Sequence, residues 1–132
     1  MRYLFFIIFF LSTLFSSINK ENNSIFTDQE LEWMKNNPVI KVGVDKAWPP
    51  FDYYALGAHN GISSEYLKII SEKTGLKFDI YSDVWSNVIK KIKNKELDIL
   101  ACAVKNPQRE EYLKFTNPYL SLDMVVVGKK EL

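Results

Sequence analysis

Residues 38–51 of the 132-residue chain read PVIKVGVDKAWPPF, a strand pattern followed by a proline-rich loop. Its first half, Val39–Val44, is a short run rich in β-branched residues, which is typical of a buried strand. Its second half, Asp45–Phe51, leaves the strand as a loop that two adjacent prolines stiffen. A loop at the carboxyl end of a buried strand is where an α/β protein places its ligand site.

Helical and strand patterns alternate along the rest of the chain. Apolar residues follow the helical period over 64–74 and 85–94, whereas 76–81 alternates like a strand and 97–104 is a nearly continuous apolar run. A last strand is expected at Met124–Val127. Strand–helix–strand–helix–strand with short connections predicts the α/β class, as an open, mostly parallel sheet with flanking helices.

A small hairpin is expected between the first strand and the first of these helices. Its arms would be 51–54 and 61–62, with Asn60-Gly61 as the turn, because that dipeptide suits two-residue hairpin loops. The one histidine of the chain, His59, would then lie in the turn and point into solvent.

The N-terminal segment predicts export from the cytoplasm. Residues 1–17 combine a positively charged start, an apolar centre over 4–15 and a small-residue exit, which is the pattern of a secretory signal peptide. The apolar centre is shorter than the ~20 residues that cross a bilayer, although a buried helix or an uncleaved anchor is the alternative. Residues 18–37 are expected to form a linker and a short helix opened by the capping box Thr27–Glu30. We therefore expect a periplasmic protein that meets the membrane only through its export signal.

Composition argues against several classes of function. The 17 Lys and Arg residues balance 16 Asp and Glu, so no basic surplus is available to neutralise nucleic-acid phosphates. One cysteine and one histidine provide neither an intrachain disulfide nor a cluster of metal ligands. No nucleophile–base pair or phosphate-binding loop is present. We therefore expect a protein that is not an enzyme and uses no metal or cofactor.

Candidate binding residues lie on two loops, and both loops follow the carboxyl ends of predicted parallel strands, which meet at one edge of the sheet. On the first loop, Trp48 and Phe51 can wall a small organic ligand while Asp45 accepts a hydrogen bond from it. The alternative is that the two rings cap the core of the sheet, as aromatic side chains often do.

Asn106 and Arg109 are the candidates on the second loop. Asn106 is expected to cap a short helix that begins with Pro107. The Arg109 guanidinium would bind a carboxylate together with the free N–H groups at the helix start. The alternative is a surface ion pair between Arg109 and Glu110 or Glu111.

Several stretches, in this order, resemble family 3 of the bacterial extracellular solute-binding proteins. They are PVIKVGVD (38–45), WPPF (48–51), Gly61-Ile62 with its helix, ELDIL (96–100) and REEYLKFTNPY (109–119). The resemblance covers residues 38–130 and implies the first lobe of a periplasmic-binding-protein-like, or Venus flytrap, fold. The preceding helix, with Glu30, Trp33-Met34 and Asn37-Pro38, looks like the flytrap domains of hybrid sensor histidine kinases.

The resemblance also implies a function. Members of the family grip an amino acid or another small carboxylate between two lobes. By motif, Asp45, Trp48 and Phe51 would line the cleft, and Arg109 would hold the ligand carboxylate. Asn106 stands where the family usually has threonine, which keeps the helix cap and changes the polar contacts. The implied partners are a small solute and either an importer permease or a sensor kinase.

The family's second lobe follows the strand after Asn117-Pro118-Tyr119, so the resemblance implies an incomplete domain whose second lobe is absent. A truncated gene, half of a split gene and a partial sequence all fit this expectation. The alternative functions that it implies are a fragment of the periplasmic sensor domain of a histidine kinase, or of an enzyme with this fold, either a peptidoglycan lytic enzyme or a dehydratase.

Overall fold

The computed structural model of the chain describes residues 24–123 and 125–129. The chain forms two compact units, Met1–Asn36 and Asn37–Leu132. The predicted signal peptide, residues 1–17, lies outside the described residues. Within the described ranges, no helix is both long enough and apolar enough to cross a membrane.

The first unit contains helix α1 (Asp28–Asn36), and its start confirms the predicted capping box. The Thr27 amide donates to Glu30 Oε2 over 2.8 Å, and the Glu30 amide donates to Thr27 Oγ1 over 3.3 Å. These two bonds satisfy donors that the first turn of a helix cannot satisfy internally. The bonds that the Thr27 amide and the Thr27 hydroxyl donate to Glu30 Oε2 hold the pKa of Glu30 below its usual value.

The second unit has the α/β architecture that the sequence predicts. In chain order its elements are β1 (Val39–Asp45), β2 (Ala47–Trp48), β3 (Asp52–Ala55), β4 (Ala58–Asn60), α2 (Ile62–Thr74), β5 (Lys77–Asp83), α3 (Trp85–Lys93), β6 (Ile99–Leu100) and α4 (Pro107–Glu110). The main sheet has the strand order β5-β1-β6, and both strand pairs are parallel. Strands β2, β3 and β4 form a small antiparallel sheet.

The core lies where α3 packs on β1. Val42 and Val44 of β1 and Val88 of α3 are fully buried. A Cβ atom added to Gly43 would stand 2.7 Å from Val88 Cγ1 and 2.8 Å from Leu97 Cδ1. The absence of a side chain at Gly43 therefore allows the helix to approach the strand this closely.

The hairpin turn differs from the prediction, which placed it at Asn60-Gly61. The turn is Leu56-Gly57, between β3 and β4, and both of these residues have positive φ, 54° and 79°. Two consecutive positive φ values define the turn type whose twist matches a hairpin, and the strand pairing imposes it on Leu56. Gly61 instead precedes α2, where a Cβ would stand 2.6 Å from the Phe51 carbonyl oxygen.

The last two predicted strands also differ from the structure. The apolar run 97–104 contributes only Ile99–Leu100 to the sheet, and the Ala101 amide makes the next bond, to the Gly43 carbonyl. Residues 101–104 form no strand, and Ala103 and Val104 line a cavity instead. Residues 125–127 form no strand, and their side chains are exposed.

Candidate functional site

A cavity of about 360 Å³ lies at the edge of the main sheet where β1 ends. Its lining is mostly apolar and includes one carboxylate, one amide and one guanidinium. The lining residues are Asp45, Trp48, Trp85, Ala103, Val104, Asn106 and Arg109. Four of the five predicted site residues are thus brought together, as expected from two loops at one sheet edge.

The first wall of the cavity is the loop that follows β1. Asp45 lines the cavity, and its Oδ1 accepts a hydrogen bond from the Ala47 amide over 3.0 Å. The Trp48 ring packs on the Phe51 ring, with 5.1 Å between centroids and the planes tilted by 57°. Phe51 is not among the lining residues, and its amide donates to the Trp48 carbonyl over 3.0 Å, which closes a turn between the two residues. Phe51 therefore supports Trp48 from behind.

The second wall is formed by α4 and the residue that caps it. Asn106 has extended backbone, and its Oδ1 accepts the Arg109 amide over 2.9 Å, which confirms the predicted cap. The Asn106 carbonyl also accepts the amides of Arg109 and Glu110. Two of the amides in this short helix, those of Arg109 and Glu110, are therefore already bonded within the chain.

Arg109 lines the cavity with its guanidinium held in place by two contacts. Its Nη1 donates to the Val104 carbonyl over 2.6 Å, and its Cζ lies 5.0 Å from the centroid of the Trp85 ring. Among residues 24–123 and 125–129, no carboxylate is within ion-pairing distance of it. Glu110, the alternative partner, is paired with Lys105 over 2.8 Å. A guanidinium has five N–H donors, so several remain for a carboxylate in the cavity.

Three lining residues, Trp85, Ala103 and Val104, are not among the residues that the sequence predicts for the site. The sequence pattern predicts Trp85 as an apolar position of a helix, and α3 begins at this residue. The available signal was its distance from the end of β5, because Trp85 comes two residues after Asp83. The carboxyl end of a third parallel strand therefore delivers it to the same edge.

Asp83, at the end of β5, makes hydrogen bonds both to the first loop of the site and to the start of α3. Its carbonyl accepts the Lys46 amide over 3.0 Å, which ties down the first loop. Its side chain accepts bonds from Asn87 and from the Val84 amide at the start of α3. The bond from Asn87, then those from Tyr81 and Val84, hold the pKa of Asp83 below its usual value.

His59 is buried beside the first loop, and the prediction that it points into solvent was wrong. Its side chain is only 6% exposed, and Nε2 lies 2.5 Å from Asp52 Oδ1 and 3.1 Å from Ser63 Oγ. The error follows from the turn, because a turn at Leu56-Gly57 places His59 opposite Tyr54 in β3. Asp52 is two residues from Tyr54 and therefore on the same face as His59.

Within the described ranges, no group of three or more His, Cys, Asp or Glu side chains is arranged to hold a metal ion.

Comparison with known proteins identifies the family. The family model for bacterial extracellular solute-binding proteins, family 3, matches residues 40–132. The virulence sensor protein BvgS of Bordetella pertussis is 32% identical over 108 residues, which are 80% of this chain and 9% of BvgS. The L-cystine-binding protein TcyA of Bacillus subtilis is 27% identical over 100 residues, which are 74% of this chain and 37% of TcyA.

A solved structure agrees with the fold. The crystal structure of the periplasmic VFT2 domain of Bordetella pertussis BvgS matches with a TM-score of 0.67 at 30% identity, over 74% of this chain and 43% of that domain. The Venus flytrap fold predicted from the sequence is thereby confirmed. The chain spans well under half the length of the curated relatives described above, which are a sensor and a binding protein. Their sequences and the family match show that the chain belongs to family 3 of the bacterial extracellular solute-binding proteins.

Proposed function

We propose that the cavity binds a small solute with a carboxylate group, an amino acid first of all, outside the cytoplasm. The observation that carries the proposal is the Arg109 guanidinium, which faces the cavity without an ion-pairing carboxylate among the described residues. Asp45 lines the same cavity and offers an anion to an ammonium group. A cation and an anion in one small cavity match the two charges of an α-amino acid.

The aromatic walls extend this match to the rest of the solute. Trp48 and Trp85 both line the cavity, and their faces suit an apolar or a planar cationic side chain. In this proposal Asp45, Trp48, Asn106 and Arg109 contact the solute, and Phe51 acts by supporting Trp48.

The proposed role is recognition rather than chemistry. Asp45 is the one carboxylate of the cavity lining, and no histidine, lysine or cysteine lines it to act as a partner in proton transfer or as a nucleophile. A bound solute is therefore expected to be released unchanged, which nuclear magnetic resonance of the recovered solute checks.

Two roles fit a solute-binding module outside the cytoplasm: delivery to an importer permease and reception for a sensor kinase. The identity to BvgS, named as a virulence sensor, is higher and covers more of this chain than the identity to TcyA, named as a binding protein. That difference favours sensing as the second, more specific candidate. The predicted export signal supports a periplasmic location, and separation of the periplasmic fraction from cells that express the chain tests it.

The binding test uses titration calorimetry with L-arginine, L-cystine and agmatine, which is arginine without its carboxylate. We expect an amino acid to bind, and we expect L-arginine to bind more tightly than agmatine, because only L-arginine has a group for Arg109 to hold. Arg109→Gln should weaken binding by about tenfold or more, given the usual strength of hydrogen bonds between charged groups.

Lys105→Gln is the matched control, because it removes the same charge from an exposed side chain that pairs with Glu110 outside the cavity. Binding of the amino acid that survives Arg109→Gln unchanged would refute the carboxylate assignment. Absence of binding by all three probes would refute the amino-acid proposal.

A further inference from the structure

Three polar side chains form a closed cluster behind the first wall of the cavity. Asp52 is fully buried and Ser63 is 1% exposed. Asp52 Oδ1 accepts the Ser63 hydroxyl over 2.8 Å and lies 2.5 Å from His59 Nε2. A buried carboxylate is costly unless it is hydrogen-bonded and paired, so the cluster is built around Asp52.

The cluster does not have the arrangement of a hydrolase. In a Ser-His-Asp triad the carboxylate and the serine use opposite nitrogens of the imidazole, so that a proton can pass between them. Here both contact the same atom, Nε2 of His59, and the serine donates directly to the carboxylate. Ser63 is also closed to substrate because it is buried. The residues therefore act on structure rather than on a bound molecule.

The second oxygen of Asp52 connects the cluster to the cavity. Asp52 Oδ2 accepts the backbone amide of Asp45 over 2.9 Å. Asp52 is also paired with Trp48 in the register of β2 and β3. The Asp52 carboxylate thus fixes the start of the loop by accepting the Asp45 amide. The backbone of Asp52 lies beside that of Trp48. Asp45 and Trp48 both line the cavity.

Helix α2 holds the far end of the same loop. The amides of Ile62 and Ser63, in its first turn, donate to the carbonyls of Pro50 and Phe51 over 3.1 and 3.0 Å. The hydroxyl of Ser63 joins this end to Asp52. The loop is therefore held at both ends by groups that meet at Asp52.

We propose that Asp52 is a positioning residue for the solute site, which fixes Asp45 and Trp48 through the Asp45 amide while His59 and Ser63 compensate its buried charge. This inference rests on the proposed function only in taking the loop as a wall that contacts solute. The position of the loop itself can be measured with no solute present.

The test uses the chain labelled with 5-fluorotryptophan, whose three tryptophans give three fluorine resonances. Asp52→Asn keeps the shape of the side chain but places an amide group against one of the donors. We expect the Trp48 resonance to shift or broaden. The resonance of Trp85, which lines the cavity from the start of α3, should stay in place.

Ser63→Ala is the matched control, because it removes one donor to Asp52 Oδ1 and leaves the bond from the Asp45 amide to Oδ2. It should lower stability while the Trp48 resonance stays in place. The proposal is overturned if folded Asp52→Asn leaves the Trp48 resonance unmoved, or if Ser63→Ala moves it equally.

A measurement on the unmodified chain covers the case in which Asp52→Asn does not fold. The Asp45 amide should exchange with deuterium slowly, and rapid exchange would overturn the proposal. With L-arginine as probe, Asp52→Asn should weaken binding about fivefold. If L-arginine does not bind the unmodified chain, the proposed function fails for that solute, whereas the fluorine and exchange results still decide the role of Asp52.

Discussion

The guanidinium of Arg109 lies over the indole ring of Trp85, with 5.0 Å between Arg109 Cζ and the ring centroid. Two different strand ends supply the pair, since Trp85 follows β5 and Arg109 follows β6. The ring orients the guanidinium, because the positive charge is attracted to the face of the π system. Together with the bond from Nη1 to the Val104 carbonyl, this contact fixes Arg109 from two sides.

Trp85→Ala should therefore weaken binding of a carboxylate solute even where the solute does not touch the ring. A cation–π contact at a partly exposed site contributes about 0.5–1 kcal/mol, which corresponds to roughly two- to fivefold in affinity. Trp85→Phe should retain part of the effect, because it keeps an aromatic face. Calorimetry of the two variants with the same amino acid checks the order. Equal binding by the alanine variant and the unmodified chain would show that Trp85 does not hold Arg109.

Asn106→Ala should lower the free energy of unfolding by about 1 kcal/mol, the usual effect of losing a helix cap. The reason is the Arg109 amide, which loses its bond to Asn106 Oδ1. Asn106→Ser can cap the same amide and should lose much less stability. Urea unfolding followed by circular dichroism measures both changes. A serine variant as unstable as the alanine variant would argue against the capping role.

Gly43→Ala should destabilise the chain by about 1–3 kcal/mol, the usual effect of overfilling a core. The added methyl group would meet Val88, Leu97 and Leu100 at 2.7 to 3.0 Å, closer than carbon atoms pack. Gly128→Ala is the matched control, since no atom lies within 4 Å of its added Cβ. The double variant with Val88→Ala should lose less stability than the sum of its single changes. Additive losses would place the strain elsewhere.

Acid should destabilise the chain through Asp83. Its pKa is lower in the folded chain than its ordinary value of 3.8, so folding favours the ionised carboxylate. The stability from this group is complete above that ordinary value and is lost as the pH falls through the lower, folded-state pKa. Asp83→Asn should therefore be less stable than the unmodified chain at neutral pH, and the difference should shrink in acid.

Urea midpoints measured from neutral pH down to about pH 2.5 test this, a range that includes the usual titration of aspartate. Asn87→Ala removes the leading cause of the lowered pKa and should move the acid transition to higher pH. A difference between Asp83→Asn and the unmodified chain that stays constant across this range would contradict the prediction.

The sequence predicts the architecture because its apolar periods are strong and its breakers are well placed. The Val39–Val44 run predicts a strand because it is short and rich in β-branched residues, and Gly75 ends α2 with φ of 74°, as its position directly after the helical pattern 64–74 predicts. The two loops of the site follow from the same logic, because parallel strands end at one edge. The sequence therefore predicts that Asp45 and Arg109 lie at the same site, and both residues line the cavity.

Features that depend on tertiary pairing could not be predicted from the sequence. Leu56 has no intrinsic preference for positive φ, so nothing local favours a turn at Leu56-Gly57 over one at Asn60-Gly61. Because the turn was predicted at the wrong position, the sequence did not predict the contact between Asp52 and His59. The run 97–104 misled for a related reason, because apolar side chains that wall a cavity give the same pattern as a strand. The sequence did not predict Trp85 as a site residue, because an apolar residue of a helix pattern can also line a cavity.

Asn106 has a consequence for how this site can diverge. Its side chain caps α4 and lines the cavity, so a substitution there changes solute contacts and helix stability together. Neutral drift at this position is confined to the few residues that cap a helix well, which are Ser, Thr, Asp and Asn. The side chain of Val104 lines the same cavity without that constraint. New solute preferences are therefore expected to evolve first at position 104, with position 106 changing late and conservatively.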